Sequence, residues 1–418
     1  MCLAAPRGGR RSKTGKSCAA EKSKADARKP SASRKVSGSW RLSSPVPASP
    51  DVQELDNEAS PAETLGPTGP EDGGPSPESP GGSGPKPGEP LGPIEPTPGE
   101  EPTPPVEPSA PFRFFSSTSF WNEPLPVDAP VDPSSAAVMG AFDELIAEEE
   151  EPGGGGPWIN TTEYSVPIYT VPHDQPTVAV RLLTRYPYLP LSTAWSAVPL
   201  PSDAQPSVGT DGELVVWQPS TDRLWEFWRL VHEAGGWSAS WGGAIQNVSS
   251  NPGVYGPEAW PEASPLWGAS ASSLSLVGGL VSLEDLEKGQ INHALSMSIP
   301  NVRAGVYASP AQRSDGKSSD PLSLPEGAHL RLDPSLDLAA LHLPKVTLMI
   351  AEAAQRYGIF VRDHARVVSF QAQDPTLTGT NPYASPSGYF EGEYPRELLA
   401  SFPWSHLELL KMELHADG

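Results

Sequence analysis

The chain has 418 residues, a formal net charge of −22 and two cysteines, Cys2 and Cys18. Such acidity sets the bulk of the chain against phosphate backbones and anionic membranes, and cysteines confined to the first residues exclude a disulfide-built or Cys₄ zinc fold for the rest. No run reaches the ~18 apolar residues of a membrane helix, and P-loop, dinucleotide, HExxH and GxSxG patterns are all missing, so no cofactor and no metal is expected.

In chain order, residues 1–42 carry Arg7, Arg10, Arg11, Lys13, Lys16, Lys22, Lys24, Arg28, Lys29, Arg34, Lys35 and Arg41 against Glu21 and Asp26. With Trp40 its single aromatic, this basic head reads as a solvated tail, not a nucleic-acid arm. Residues 43–111 hold 20 of the 52 prolines and no aromatic residue. They cannot bury enough apolar surface to offset their ordering entropy and read as a disordered Pro/Gly/Glu linker. No apolar stretch follows Arg10-Arg11 as a signal peptide requires. A tether ahead of a Trp-rich domain nevertheless fits a secreted or envelope-associated protein.

Residues 112–414 read as one folded domain, with 415–418 as a tail. Eleven of the twelve tryptophans and all ten phenylalanines lie there. Ser119-Phe120-Trp121-Asn122 is an aromatic plug that starts the core. Asp132–Glu151 has helical spacing of Val138, Met139, Phe142 and Ile146. Strands are predicted over Trp158–Val171 and Thr177–Leu183. Glu213–Trp217, Leu224–His232 and Trp237–Trp241 read as a three-strand meander with turns at 219–222 and 234–236. Ser282 to Asp285 is a capping-box start to a short helix that Gly289 ends. Ile291–Pro300 alternates as a strand. Pro344–Tyr357 is an amphipathic helix closed by Gly358. A hairpin of Ile359–Val361 with Val367–Ala372 should follow, and Leu407–Leu414 is the last strand. Many short strands, Pro/Gly turns and two or three helices predict a mainly-β domain, a β-sandwich or jelly-roll-like fold.

The tryptophans carry the functional reading. Trp217, Trp225, Trp228, Trp237 and Trp241 fall within 25 residues, followed by a long irregular stretch with Gln246 and Trp260. An indole either fills a core or lies exposed as a platform for a sugar ring. In the strand around residue 226, alternation puts Leu224, Glu226 and Trp228 on one face and Trp225, Phe227 and Arg229 on the other. One face must be covered by a second sheet, and the other can line a groove. Glu226, between two tryptophans, is a candidate carboxyl with a raised pKa, against the alternative that it pairs with Arg229 or faces solvent. His293 lies on an apolar face, as a base or as a satisfied core histidine. Arg313 and Asp315 sit in a polar loop after that strand, either a site or an ordinary Asp-Gly turn.

The blocks FFSSTSFWNEPLP (114–126), VVWQPSTDRLWEFW (215–228), GQINHALSMSIP (289–300), SPAQRSDG (309–316) and AEAAQRYGIFVRD (351–363) resemble a group of uncharacterised, secreted actinobacterial proteins. That resemblance implies export and a single domain, and transfers no catalytic residue. Gln290-Ile291-Asn292-His293 and Tyr389 to Tyr394 are faintly similar to strands of jelly-roll polysaccharide lyases, with altered spacing. The expectation is thus an exported polysaccharide-active enzyme, monomeric, binding polysaccharide or cell-wall glycan. As a hydrolase it would use Glu226 and Asp315; as a lyase, His293 as base and Arg313 against a uronate. The alternatives are a glycan-binding protein without catalysis and a structural envelope protein.

Overall fold

A computed structural model describes residues 113–184 and 189–417. The basic head, the Pro/Gly/Glu-rich segment and both cysteines lie outside them. The described part is mostly sheet, with 15 strands and few helices. Helix α1, Ser135–Glu150, forms where the apolar spacing predicts it and buries Val138, Met139, Phe142 and Ile146. Asp132 accepts hydrogen bonds from the amide and hydroxyl of Ser134 at its start. At its other end, buried Glu149 accepts the Val368 amide through both oxygens at 2.8 and 2.9 Å.

After β1 (Trp158–Asn160), β2 (Ile168–Thr170), β3 (Arg181–Leu182) and α2 (Leu189–Ala194) comes the Trp-rich segment. It contributes β4 (Leu214–Gln218), β5 (Arg223–Trp228), β6 (Val231–Glu233), β7 (Gly236–Ala239) and β8 (Trp241–Gln246). These do not form the expected meander. Arg229 has φ +55, the left-handed region, which breaks the strand expected to run from Leu224 to His232. Strands β6 and β7 leave to join β3 in a three-stranded sheet, and β8 returns beside β5. The order β2-β4-β5-β8 results, parallel at β2/β4 and antiparallel elsewhere.

The remaining elements are α3 (Leu283–Lys288), β9 (Leu295–Ile299), β10 (Val306–Ala308), β11 (His329–Leu332), α4 (Lys345–Arg356), β12 (Ile359–His364), β13 (Ser369–Gln371), α5 (Pro395–Ala400), β14 (Leu407–Leu409) and β15 (Leu414–Ala416). The capping box of α3 is present, and Gly289 closes it at φ +69. The hairpin expected between residues 359–361 and 367–372 is absent. Strand β9 lies between them, parallel to β12 and antiparallel to β13, in the order β1-β13-β9-β12-β11-β14. The last expected strand splits in two, and β15 pairs with β10, so ordered pairing runs through Ala416.

The six-stranded sheet has two unlike faces. Leu295, Met297, Ile299, Ile359 and Val361 share a core with α1 and α4. The intervening residues point the other way, and Phe360 packs edge-on against Phe120 and Trp121 of the plug. Trp121 belongs to the second core, with Trp195, Trp225, Phe227, Tyr255 and Trp267 around the four-stranded sheet. Among the described residues, no helix is long and apolar enough to cross a membrane.

Candidate functional site

Between these two sheets runs a serine-rich segment, Gly268–Leu276, in which Ser270, Ser272, Ser273 and Ser275 are all buried. A buried hydroxyl must find a partner. Ser270 Oγ donates to the Leu274 carbonyl at 2.6 Å, and Ser272 Oγ accepts the Leu274 amide at 3.3 Å. The rest of the segment is held by Glu226 of β5. Its Oε1 accepts the Ala269 amide at 2.9 Å, and Oε2 accepts the Ser275 hydroxyl at 2.8 Å and the Leu276 amide at 2.9 Å. Glu226 is fully buried. It neither faces solvent nor pairs with Arg229, whose guanidinium lies over the Trp228 ring at 5.2 Å. The Tyr255 hydroxyl sits beside Glu226, and burial, then the Glu226 charge, push it well up.

Arg313 grips the same segment from the other side. Its Nε donates to Ser273 Oγ at 2.7 Å, and Nη2 donates to the carbonyls of Gly268 at 3.1 Å and Ser270 at 2.7 Å. Gln312 fixes its approach by exchanging hydrogen bonds with the backbone of Tyr255. Two residues on, Asp315 meets Glu326 and Asp363, with carboxylate oxygens from all three within 4.8 Å of one another. Glu326 is fully buried, Asp363 half-buried and Asp315 exposed. Glu326 Oε2 accepts the Asp315 amide at 3.1 Å, while Oε1 has no partner. The Asp363 oxygens accept the His364 amide at 2.9 Å and the Ala271 amide at 3.2 Å. Glu326 is locked in place by Gly327, whose φ of +81 and contact with the Ala308 carbonyl leave no room for a side chain.

Burial raises Glu326, and the neighbouring Asp363 charge adds to it. Burial also raises Asp363, against the pull of Arg362. Arg362 is itself buried in β12, donating through Nη1 to the Leu276 carbonyl at 3.2 Å. Glu213 belongs to the same buried charge network and is raised to about 8 by burial, with Arg362 opposing. Three carboxyls this close can share protons or hold a cation.

His293 lies in a different set of contacts. Its Nδ1 is 2.8 Å from the Ala294 carbonyl and its Nε2 3.2 Å from Asp285 Oδ2, so both ring nitrogens are taken. Burial opposes its charge, yet the Asp285 hydrogen bond and charge leave it raised overall. Burial likewise opposes ionisation of Asp285, and His293 and Ser282 hold it below its usual value. A raised histidine supports the fold fully below 6.5, and that support is lost as pH rises through its folded value. The lowered aspartate supports it above 3.8, and that is lost as pH falls. Asp285→Asn should therefore destabilise the protein by about 2 kcal/mol near pH 5.5 and by much less at pH 9, measured by urea unfolding at both pH values. Equal losses at the two pH values would exclude the ion pair.

Trp217, Trp225 and Trp237 are core residues. Trp225 donates to the Ala194 carbonyl at 3.1 Å, Trp217 meets Phe114 edge-on, and Trp237 stacks on His232. Trp228, Trp241 and Trp260 are only half-buried. Trp228 and Trp241 are direct cross-strand partners, so their rings emerge on one face. Trp260 lies under Arg223, which pairs with Gln246 at the opposite end of the β5/β8 ladder, about 17 Å away by strand rise. Trp241 Nε1 donates to the Leu266 carbonyl at 2.9 Å, two residues before the carbonyl that Arg313 holds. The Trp228–Trp241 pair and the Arg313 cluster are therefore joined by one short segment, 266–268. A separate recess of about 340 Å³ is lined by Gln205, Asp374, Thr376 and Asn381. Asp374 there is already engaged by Ser165 and Thr376.

Arg313 and Asp315 are thus brought together, Glu226 reaches them through the serine segment, and His293 does not join them in any hydrogen bond. Sequence reasoning did not reach Glu326, Arg362 or Asp363 as members of the site, and reached Tyr255 only as part of the long irregular stretch that follows Trp241. The one signal was four serines in six residues, Ser270 to Ser275, in a stretch otherwise apolar. No protein-family model, no curated protein and no solved structure matches this chain.

Proposed function

We propose that the chain is an exported, monomeric polysaccharide-active protein that seats a glycan on the Trp228–Trp241 pair, with its reactive end at Arg313 and the three carboxyl groups. The single observation that supports this reading is the short span, Leu266 to Gly268, that carries both the hydrogen bond from Trp241 and one of those from Arg313. Sugar rings stack on indole faces, and their hydroxyls pair with guanidinium and carboxylate groups. We also read the two larger sheets as the layers of an irregular, jelly-roll-like sandwich, because one core continues from Trp225 and Phe227 to Trp121 and Phe360.

The test is product formation by the full chain on neutral and uronate-containing polysaccharides, read by mass spectrometry. New oligosaccharides are expected, and Trp241→Ala should lower their yield about tenfold at limiting substrate. Products lighter by one water identify a lyase; those without the loss identify a hydrolase. Absence of products from folded protein across the panel would overturn catalysis. A binding-only reading draws on the occupied hydrogen-bonding groups of Glu226 and His293, and retention of glycan without products would establish it.

A further inference from the structure

We propose that Asp315, Glu326 and Asp363 form a site for a hard divalent cation, calcium being the best fit. The inference does not depend on the polysaccharide reading, since it rests on the carboxylates alone. Their oxygens lie within 4.8 Å of one another, the spread that ligands on a single calcium ion with bonds of about 2.4 Å can span. All three donors are oxygens, with no histidine or cysteine among them, which suits calcium or magnesium and not zinc or copper.

An acidic cluster at a surface is ordinary, and the informative residue is Glu326. It is 0 % exposed, and its Oε1 makes no hydrogen bond; the Ser314 hydroxyl is near enough to favour the charge of the group without closing a bond to that oxygen. A buried carboxylate oxygen left without a donor costs a few kcal/mol, so a native protein seldom keeps one. No protein cation fills the gap. Among the described residues, the ion pairs within 4 Å are Lys288–Glu284, His293–Asp285 and Arg331–Glu408, and none involves the cluster. Arg313 stands near but turns Nε and Nη2 to Ser273, Gly268 and Ser270. Arg362 sends Nη1 to Leu276. Together the two guanidiniums balance part of the carboxylate charge without occupying the space between the oxygens.

The supporting shell is built as metal sites require. The amides of His364 and Ala271 orient Asp363, and the amide of Asp315 orients Glu326. Exposed Asp315 opens the site to solvent, which supplies access for the ion and water for its remaining positions. Two ligands come from loop positions 11 residues apart and the third from strand β12, well downstream of both. No motif spacing in the sequence announces them for that reason.

The full chain, stripped with chelator, should be titrated with calcium chloride and followed by thermal unfolding and by calorimetry. The expected result is a saturable rise in Tm with a matching binding heat near one ion per chain. Asp315→Asn, at an exposed position, should fold normally and bind calcium at least about tenfold more weakly. Glu326→Gln should abolish binding; if that variant does not fold, Asp363→Asn replaces it. Magnesium should give a smaller shift at equal concentration. No saturable heat or Tm shift at millimolar calcium, or an unchanged affinity in Asp315→Asn, would overturn the site.

Discussion

Replacement of Glu226 by alanine is expected to destabilise the protein by about 4 kcal/mol, a large part of the ~5–15 kcal/mol that holds a domain together. The side chain is fully buried and accepts from Ala269, Ser275 and Leu276. Alanine would strand three buried donors at about 1–3 kcal/mol each and leave a cavity, while partial collapse of the serine segment would recover some of the loss. Glu226→Gln keeps the shape and one acceptor but turns an NH₂ group toward an N–H or O–H, so about 2 kcal/mol should be lost. Urea unfolding of the wild type and both variants measures this directly. A catalytic Glu226 predicts a different pattern, in which glutamine removes turnover and leaves stability untouched. Unchanged stability in Glu226→Gln would therefore return Glu226 to the reacting groups and remove it as the clamp of the segment that Arg313 grips.

The same residue shows how far the sequence can be read. Alternation correctly placed Leu224, Glu226 and Trp228 on one face of β5. It could not show what covers that face, since the cover is a loop 43 residues away and not a second sheet. Helices α1, α3 and α4 were legible because their signals are local: apolar spacing, a capping box and a closing glycine. Strand partners were not. The chain between β12 and β13 is a short connection that suits a hairpin, yet β9, from some sixty residues upstream, inserts between them. Its alternating Leu295, Met297 and Ile299 satisfy the helical layer, and Gln371 donates to Ser298 Oγ on the other face at 2.9 Å. Tryptophan content had the same limit. Trp225 and Trp228 sit three residues apart in one strand, and only the fold decides that one ends in the core and the other at its rim. Glu326, between a proline and a glycine, carries no local signal that the fold buries it.

Trp121 and Gly278 provide the second large effect, and it is one of coupling. The indole is 1 % exposed and packs against Phe120 and Phe360 with centroids 5.0 and 5.2 Å away. Around the rest of the ring the backbones of Gly253, Gly278 and Gly279 approach closely, with Gly278 at the edge that carries Cε2 and Cζ2. A Cβ there would overlap Trp121 at Cε2 and Cζ2, and stand 2.7 Å from Nε1. Neither partner can yield, because the ring is held by two phenylalanines and the next residue, Gly279, accepts the Ser296 amide at 2.9 Å. Gly278→Ala should thus cost about 3 kcal/mol by overpacking. Trp121→Ala should cost about 4 kcal/mol by the cavity it leaves. Trp121→Phe should cost less, about 2 kcal/mol, because it removes volume but also an indole N–H that is buried without an acceptor. Phenylalanine has no counterpart of Cζ2 and is free to tilt from the alanine methyl, so the double variant Trp121→Phe/Gly278→Ala should be more stable than the two single losses added together, by about 1 kcal/mol. Denaturant unfolding of all four proteins closes the cycle. Strict additivity would mean that the methyl group is accommodated by backbone movement, and that the plug is not the fixed joint between the two larger sheets.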